Sequence, residues 1–87
     1  MDIRDAIKKG VGEGQEAFRI ETEDGGAISG WQHALGYGLR VEMPDGCIRP
    51  ARCAEVEAAG LAYVGEIHEG TMSGDQRPWA HAKFLGL

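Results

Sequence analysis

The 87-residue chain has no asparagine, only two cysteines and three prolines, and no long apolar run. Two thiols, Cys47 and Cys53, are too few for the multi-disulfide framework of a small secreted scaffold, so two free thiols in a reducing compartment are expected. No apolar stretch approaches the roughly 20 residues needed to cross a bilayer. The opening Met1-Asp2-Ile3-Arg4-Asp5 is unlike a signal peptide, and a soluble, cytoplasmic domain with no membrane contact is expected. Bases are also scarce, at nine against fourteen acids, for a formal charge of −5. A direct nucleic-acid binder needs a concentrated positive patch, so that class is disfavoured.

What is present is ordinary for a globular chain, with 43% hydrophobic and 26% charged residues. Residues 1–87 read as a single domain. At this size the balance between burial and chain entropy is narrow, and a homodimer contact would supplement it naturally.

Asp2 to Lys9 reads as an amphipathic helix, with Ile3, Ala6 and Ile7 on one face, Asp2 and Asp5 at its positive end and Lys8 and Lys9 at its negative end. Gly10 is the expected stop. From Gln15 the period becomes two, with Phe18, Ile20 and Thr22 alternating with Arg19, Glu21 and Glu23, which predicts a half-buried strand ending at Asp24-Gly25-Gly26. Ala27 to Gly36 is predicted as a short strand to Ile28 followed by helical turns, because Ser29-Gly30-Trp31-Gln32 has capping-box spacing. Tyr37, Leu39, Val41 and Met43 alternate cleanly as a strand. Pro44-Asp45-Gly46 turns the chain, and Cys47-Ile48-Arg49 returns as its partner.

A second helix is predicted over Ala51 to Ala59, with Cys53 and Val56 inward, Pro50 in its first turn and Gly60 closing it. Leu61 to Ile67 is a strand, 70–78 a loop, and Trp79 to Leu85 a final strand or an ordered tail. The expected fold is α+β: a small antiparallel sheet of about four to five strands with an N-terminal helix and a second short helix. A small, partly open barrel carrying helices is the alternative.

No constellation points to catalysis. Gly10-Val11-Gly12-Glu13-Gly14 follows a helix and lacks the closing Gly-Lys-Ser/Thr of a phosphate loop. Glu66-Ile67-His68-Glu69 lacks the second histidine of a zinc-protease helix, since Met72 stands four after His68. As a strand it would put Glu66 and His68 on one face, where such neighbours are usually solvated. The spacing of Cys47 and Cys53, with His33, His68 and His81 dispersed, matches no zinc pattern. Cys47 is the more exposed thiol, with Arg49 and Arg52 placed to lower its pKa. Ser29 lacks the Gly-x-Ser-x-Gly elbow. No catalytic residue, metal or cofactor is therefore assigned.

The C-terminal segment is the most informative. If extended, it places Arg77, Trp79, His81 and Lys83 on one side, a surface suited to a phosphate backbone or an acidic protein. The structural alternative is an edge strand in which Trp79 covers the core and the bases discourage edge pairing. Arg19, Glu21, Glu23, Arg40 and Glu42 are expected on the opposite surface.

In size, acidic charge and lack of a catalytic motif, the chain resembles the small phage-encoded anti-defence proteins, anti-CRISPR-type inhibitors among them. The resemblance implies a non-enzymatic inhibitor acting in a host cytoplasm.

The expected function is a binding protein that occludes a protein or nucleoprotein partner. The contact residues assigned are Glu21, Glu23, Glu42, Glu55 and Glu57 with Arg77, Trp79, His81 and Lys83, and association through the acids would be salt-sensitive. The second expectation is a structural or assembly subunit forming a small homo-oligomer through Trp31, Trp79 and Leu87. A small enzyme using Glu66 and His68, or Cys47, is the third.

Overall fold

The computed structural model describes residues 1–68 and 77–85. Its elements run α1 (Ile3–Gly12), β1 (Ala17–Glu21), β2 (Ala27–His33), β3 (Gly36–Glu42), β4 (Ile48–Pro50), α2 (Cys53–Ala58), β5 (Leu61–Ile67) and β6 (Trp79–Phe84). The strands form one antiparallel sheet in the order β1-β2-β3-β6-β5. The far edge of β3 is shared: Gly36 to Leu39 pair with β6, and Arg40 to Glu42 pair with β4. The α+β class and both helices are as expected, but the sheet has six strands where about four to five were predicted.

Both helices pack on the same face. Ala6, Ile7 and Val11 of α1, with Val56 and Ala59 at α2, meet Phe18, Ile28, Tyr37, Leu39, Val41, Leu61, Ala80 and Ala82 in one core. Ile7, Ile28, Tyr37, Leu39 and Val56 are fully buried. Each such side chain contributes about 1.5–3 kcal/mol by leaving water.

Three local expectations fail because a distant contact overrides a local signal. Helix α1 does not stop at Gly10. Asp2 caps its start, its Oδ1 accepting from the Asp5 N–H at 2.8 Å, and the helix continues to Gly12. Gly10 lies buried within it because the Phe18 ring takes the space a side chain would need; a Cβ there would sit 2.2 Å from the ring. Nor does Ala27 to Gly36 coil into helix. Strand β2 runs to His33 and turns back through Ala34 and Leu35, with Ala34 at a φ of 54°. The Phe18 ring also covers Gly30, at 2.4 Å from a built Cβ, and so rests on β2 from one side and α1 from the other.

The second helix begins at Cys53, two residues later than expected. Pro50 ends β4 opposite Arg40, and Ala51 is held in the core with its N–H donating to the Leu39 carbonyl at 3.2 Å. Proline is tolerated there because β4 pairs with a strand on only one side. Cys53, expected inward, is exposed, and Val56 alone of the helix is buried. Gly60 follows at a φ of 84°, as a closing glycine should.

Strand β6 is neither an edge strand nor a tail. It is an inner strand, paired with β3 on one side and β5 on the other. The loop expected over 70–78 lies outside the described residues except for Arg77 and Pro78.

Candidate partner-binding surface

Strand alternation decides which side chains point away from the helices. Gly36 and Gly38 of β3 lie on that face, and across the ladder His33 and Lys83 flank Gly36 while Trp31 and His81 flank Gly38. With no side chain on β3 at either position, the rings of β2 and β6 lean together over the strand. Trp31 packs edge-to-face on Trp79 at 6.0 Å between centroids and on His33 at 5.3 Å. His33 in turn meets His81 at 4.9 Å. A Cβ on Gly38 would stand 2.7 Å from Trp31 Nε1 and 3.2 Å from Trp79 Cβ, so the glycine is the seat of the cluster.

One step along β3, Arg40 lies over the Trp79 ring with its guanidinium carbon 4.1 Å from a ring centroid. It donates to the carbonyls of Pro78, at 3.3 Å, and Arg77. That contact joins cation–π attraction to charge-assisted hydrogen bonds and accounts for an arginine only 4% exposed. Farther along, Arg19 donates to Glu42 from both Nε and Nη2, and Ser29 Oγ donates to the same carboxylate. Burial alone would push the Glu42 carboxyl up, but these hydrogen bonds outweigh it and hold the group below the usual carboxylate range.

The ring cluster is electrically unusual. Trp31 Nε1, Trp79 Nε1 and His81 Nε2 are buried and have no hydrogen-bond partner. Burial, with the nearby His33 and Lys83 charges, holds His81 below the ordinary histidine range, so its neutral form is favoured at neutral pH.

The assigned contact residues divide. Trp79, His81 and Lys83 share the helix-free face as the alternation predicted, although Trp79 is 2% exposed and stands as a floor beneath Arg40 and Trp31. Arg77 precedes them, its carbonyl accepting from Arg40. Arg19, Glu21, Arg40 and Glu42 are on this same face, not the opposite one. Glu23 sits at a corner, 3.3 Å from the Met1 amino group. Glu55 and Glu57 belong to α2 in the other layer, and Glu55 is bound bidentately by Arg49 at 2.8 Å. The five acids therefore form no single surface.

The reactive candidates stand apart. Cys47 is exposed, and the Asp45 carboxylate pushes its thiol up, contrary to the expected lowering by Arg49 and Arg52. Glu57 does the same to Cys53. His68 Nε2 lies 3.8 Å from Glu66 with both side chains exposed. Among the described residues no group of three or more metal-ligating side chains converges, and no helix is long and apolar enough to cross a membrane.

Trp31, expected only in an oligomer contact, His33, and Arg40, expected on the opposite surface, were not among the partner contacts assigned from sequence. The signal that could have found Trp31 and His33 is the period-two run Ser29, Trp31, His33, which the capping-box spacing obscured. An antiparallel α+β domain with an aromatic and histidine cluster on its helix-free face is the class these features define. No protein-family model, curated protein or solved structure matches the chain.

Proposed function

We propose that this chain is a non-enzymatic binding protein that occludes a surface of a larger protein or nucleoprotein partner, using the helix-free face of the sheet. The observation that carries this reading is the ring cluster seated on Gly38, in which three buried ring nitrogens, on Trp31, Trp79 and His81, have no hydrogen-bond partner. Buried polar groups are nearly always paired, and leaving a donor unpaired costs about 1–3 kcal/mol. A partner carbonyl or carboxylate would satisfy the Trp31 indole N–H. Trp31 is only half-buried, so a side-chain rotation on docking would present its indole N–H outward. Tryptophan and arginine are also the residues over-represented where binding energy concentrates.

Inhibition of a nucleic-acid-binding complex is the form of occlusion that size and acidic charge favour. Because the acids are dispersed and Glu42 and Glu55 are held in internal pairs, ring contacts carry the affinity, and its salt dependence is shallow.

The test is co-purification from lysate of the source cell at low and high salt, comparing wild type with Trp31→Ser. The expected result is a partner retained at both salt concentrations and lost in the variant, whose circular dichroism is unchanged. Turnover of a small molecule by the purified chain, or capture indifferent to Trp31, would overturn the reading. The alternative is a small homo-oligomer, expected through Trp31, Trp79 and Leu87. Trp79 is buried and Leu87 lies outside the described residues, so exposed Leu35, Val64 and Leu85 favour it instead, beside half-buried Trp31. Light scattering separates the two, since a monomer at high concentration removes the oligomer.

A further inference from the structure

The helix-free face is electrically lopsided. At the end where β2 turns into β3, His33 and Lys83 stand on either side of Gly36, and His81 follows Lys83 one step along the same face. The His33 and His81 rings meet at 4.9 Å between centroids, and the charges of His33 and Lys83 both bear on His81. Lys83 has no ion-pair partner among the described residues, whereas Arg4, Arg19 and Arg49 each hold a carboxylate.

The surrounding strands supply no counter-charge among the described residues. On this face β1 offers Ala17, and β5 offers Ala62, Gly65 and Ile67. Glu16, beside Gln32, and Glu66, opposite Ala80, alternate onto the helix side. The acids of the face, Glu21 and Glu42, stand with Arg19 at the far end. Glu42 lies six positions along β3 from Gly36. At about 3.4 Å per residue that is about 20 Å. Arg40, between the two ends, is turned onto Trp79 and the carbonyls of Arg77 and Pro78. A chain of net charge −5 thus leaves three basic side chains together and unanswered.

We propose that the partner presents an acidic peptide segment to this end of the face, its carboxylates meeting Lys83 and His33 over Gly36. The inference rests on the helix-free face being the docking surface, and it adds the partner's chemistry and the direction in which it lies, since opposite charge fixes orientation. His81, whose Nε2 is buried, acts through its charge and not by contact. A carboxylate alongside the imidazoles favours their protonated forms, so binding takes up protons and tightens as pH falls. A nucleic-acid backbone is the poorer fit, because one lysine and two titrating rings are far from the concentrated permanent charge it needs. A metal cation would be repelled by Lys83, and an apolar partner would cover the lysine without answering it.

The experiment is a titration of the full chain, followed by amide and imidazole resonances, with end-capped tetraglutamate and with its uncharged twin tetraglutamine. It is run at about pH 7.5 and about pH 6, on either side of ordinary histidine titration. The expected result is saturable shifts at His33, His81 and Lys83 with tetraglutamate alone, tighter at the lower pH, and a His81 titration midpoint raised by the bound peptide. Lys83→Met should weaken binding about fivefold, as suits one exposed charge contact. Lys83→Arg should keep it, and Lys8→Met, the same loss of charge on exposed α1, should leave it unchanged. Equal binding of the two peptides, an unmoved His81 midpoint, indifference to Lys83→Met, or tighter binding of an oligothymidylate would each overturn the proposal. Capture of a partner through Trp31 by a chain that ignores tetraglutamate would sink the acidic segment and leave the docking surface standing. Peptide binding at Lys83 with capture indifferent to Trp31 would instead remove the partner-binding reading.

Discussion

Phe18 and Gly10 are in such close apposition that the ring occupies the place of the side chain the glycine lacks, with a built Cβ 2.2 Å from the ring edge. Glycine costs about 1 kcal/mol relative to alanine inside a helix, so this position trades helix propensity for aromatic packing. Gly10→Ala should destabilise the protein by about 1–3 kcal/mol, the usual cost of overpacking a core. Gly12, also helical, has nothing within 4 Å of a built Cβ. Gly12→Ala should therefore stabilise by up to about 1 kcal/mol. Urea unfolding of the two variants checks the opposite signs.

Gly38 supports the exposed rings as Gly10 supports the core. Gly38→Ala places a methyl 2.7 Å from Trp31 Nε1 and 3.1 Å from Ile67 Cδ1. The half-buried Trp31 is the side chain free to give way. Its displacement should shift tryptophan emission to longer wavelength and weaken partner capture, while circular dichroism keeps the sheet signal. Unchanged emission would show that the cluster does not depend on this glycine.

Arg49 and Glu55 tie β4 to α2. Both Glu55 oxygens accept from Arg49 at 2.8 Å, and Oε1 also accepts the Arg52 N–H that opens the helix. Burial would push the Glu55 carboxyl up, but these hydrogen bonds outweigh it and hold the group below its ordinary value of 4.5. Its stabilisation is present above that value and is lost as pH falls below it. Glu55→Ala should cost about 1–3 kcal/mol at neutral pH, because pair and cap go together. Glu55→Gln, which keeps an acceptor for Arg52, should cost less. Denaturant midpoints measure both.

His81 gives the fold a second pH dependence of the same sign. Its folded value lies below the ordinary 6.5 because of burial first, then the charges of His33 and Lys83. A depressed histidine takes up its proton more readily in the unfolded chain. Its stabilising contribution is therefore complete above about pH 6.5 and declines as pH falls toward the lower folded value. Unfolding just above 6.5 and about one unit below it should show a loss that His81→Gln reduces. Lys83→Met should raise the His81 titration midpoint observed by NMR. A midpoint that does not move would show that the Lys83 charge does not act on this ring.

Much of the architecture was legible in the chain itself. Alternation in β1 and β3, the existence of β5, the amphipathic start of α1 at Asp2 to Ile7, and the placement of Trp79, His81 and Lys83 on one face all follow from short-range pattern. Such features depend only on which residues are apolar and on a period of two or 3.6, quantities a segment carries without its neighbours. Tertiary structure decided the rest. It set β6 between β3 and β5, buried Arg40 against Trp79, and put Arg19 and Glu42 on the face of the rings. It also carried α1 past Gly10 and straightened β2 through its capping-box spacing, both under the same Phe18 ring. Strand order and face are set by pairings between segments far apart in the chain, and a ring that seats in the gap above a glycine is a contact no local period can express.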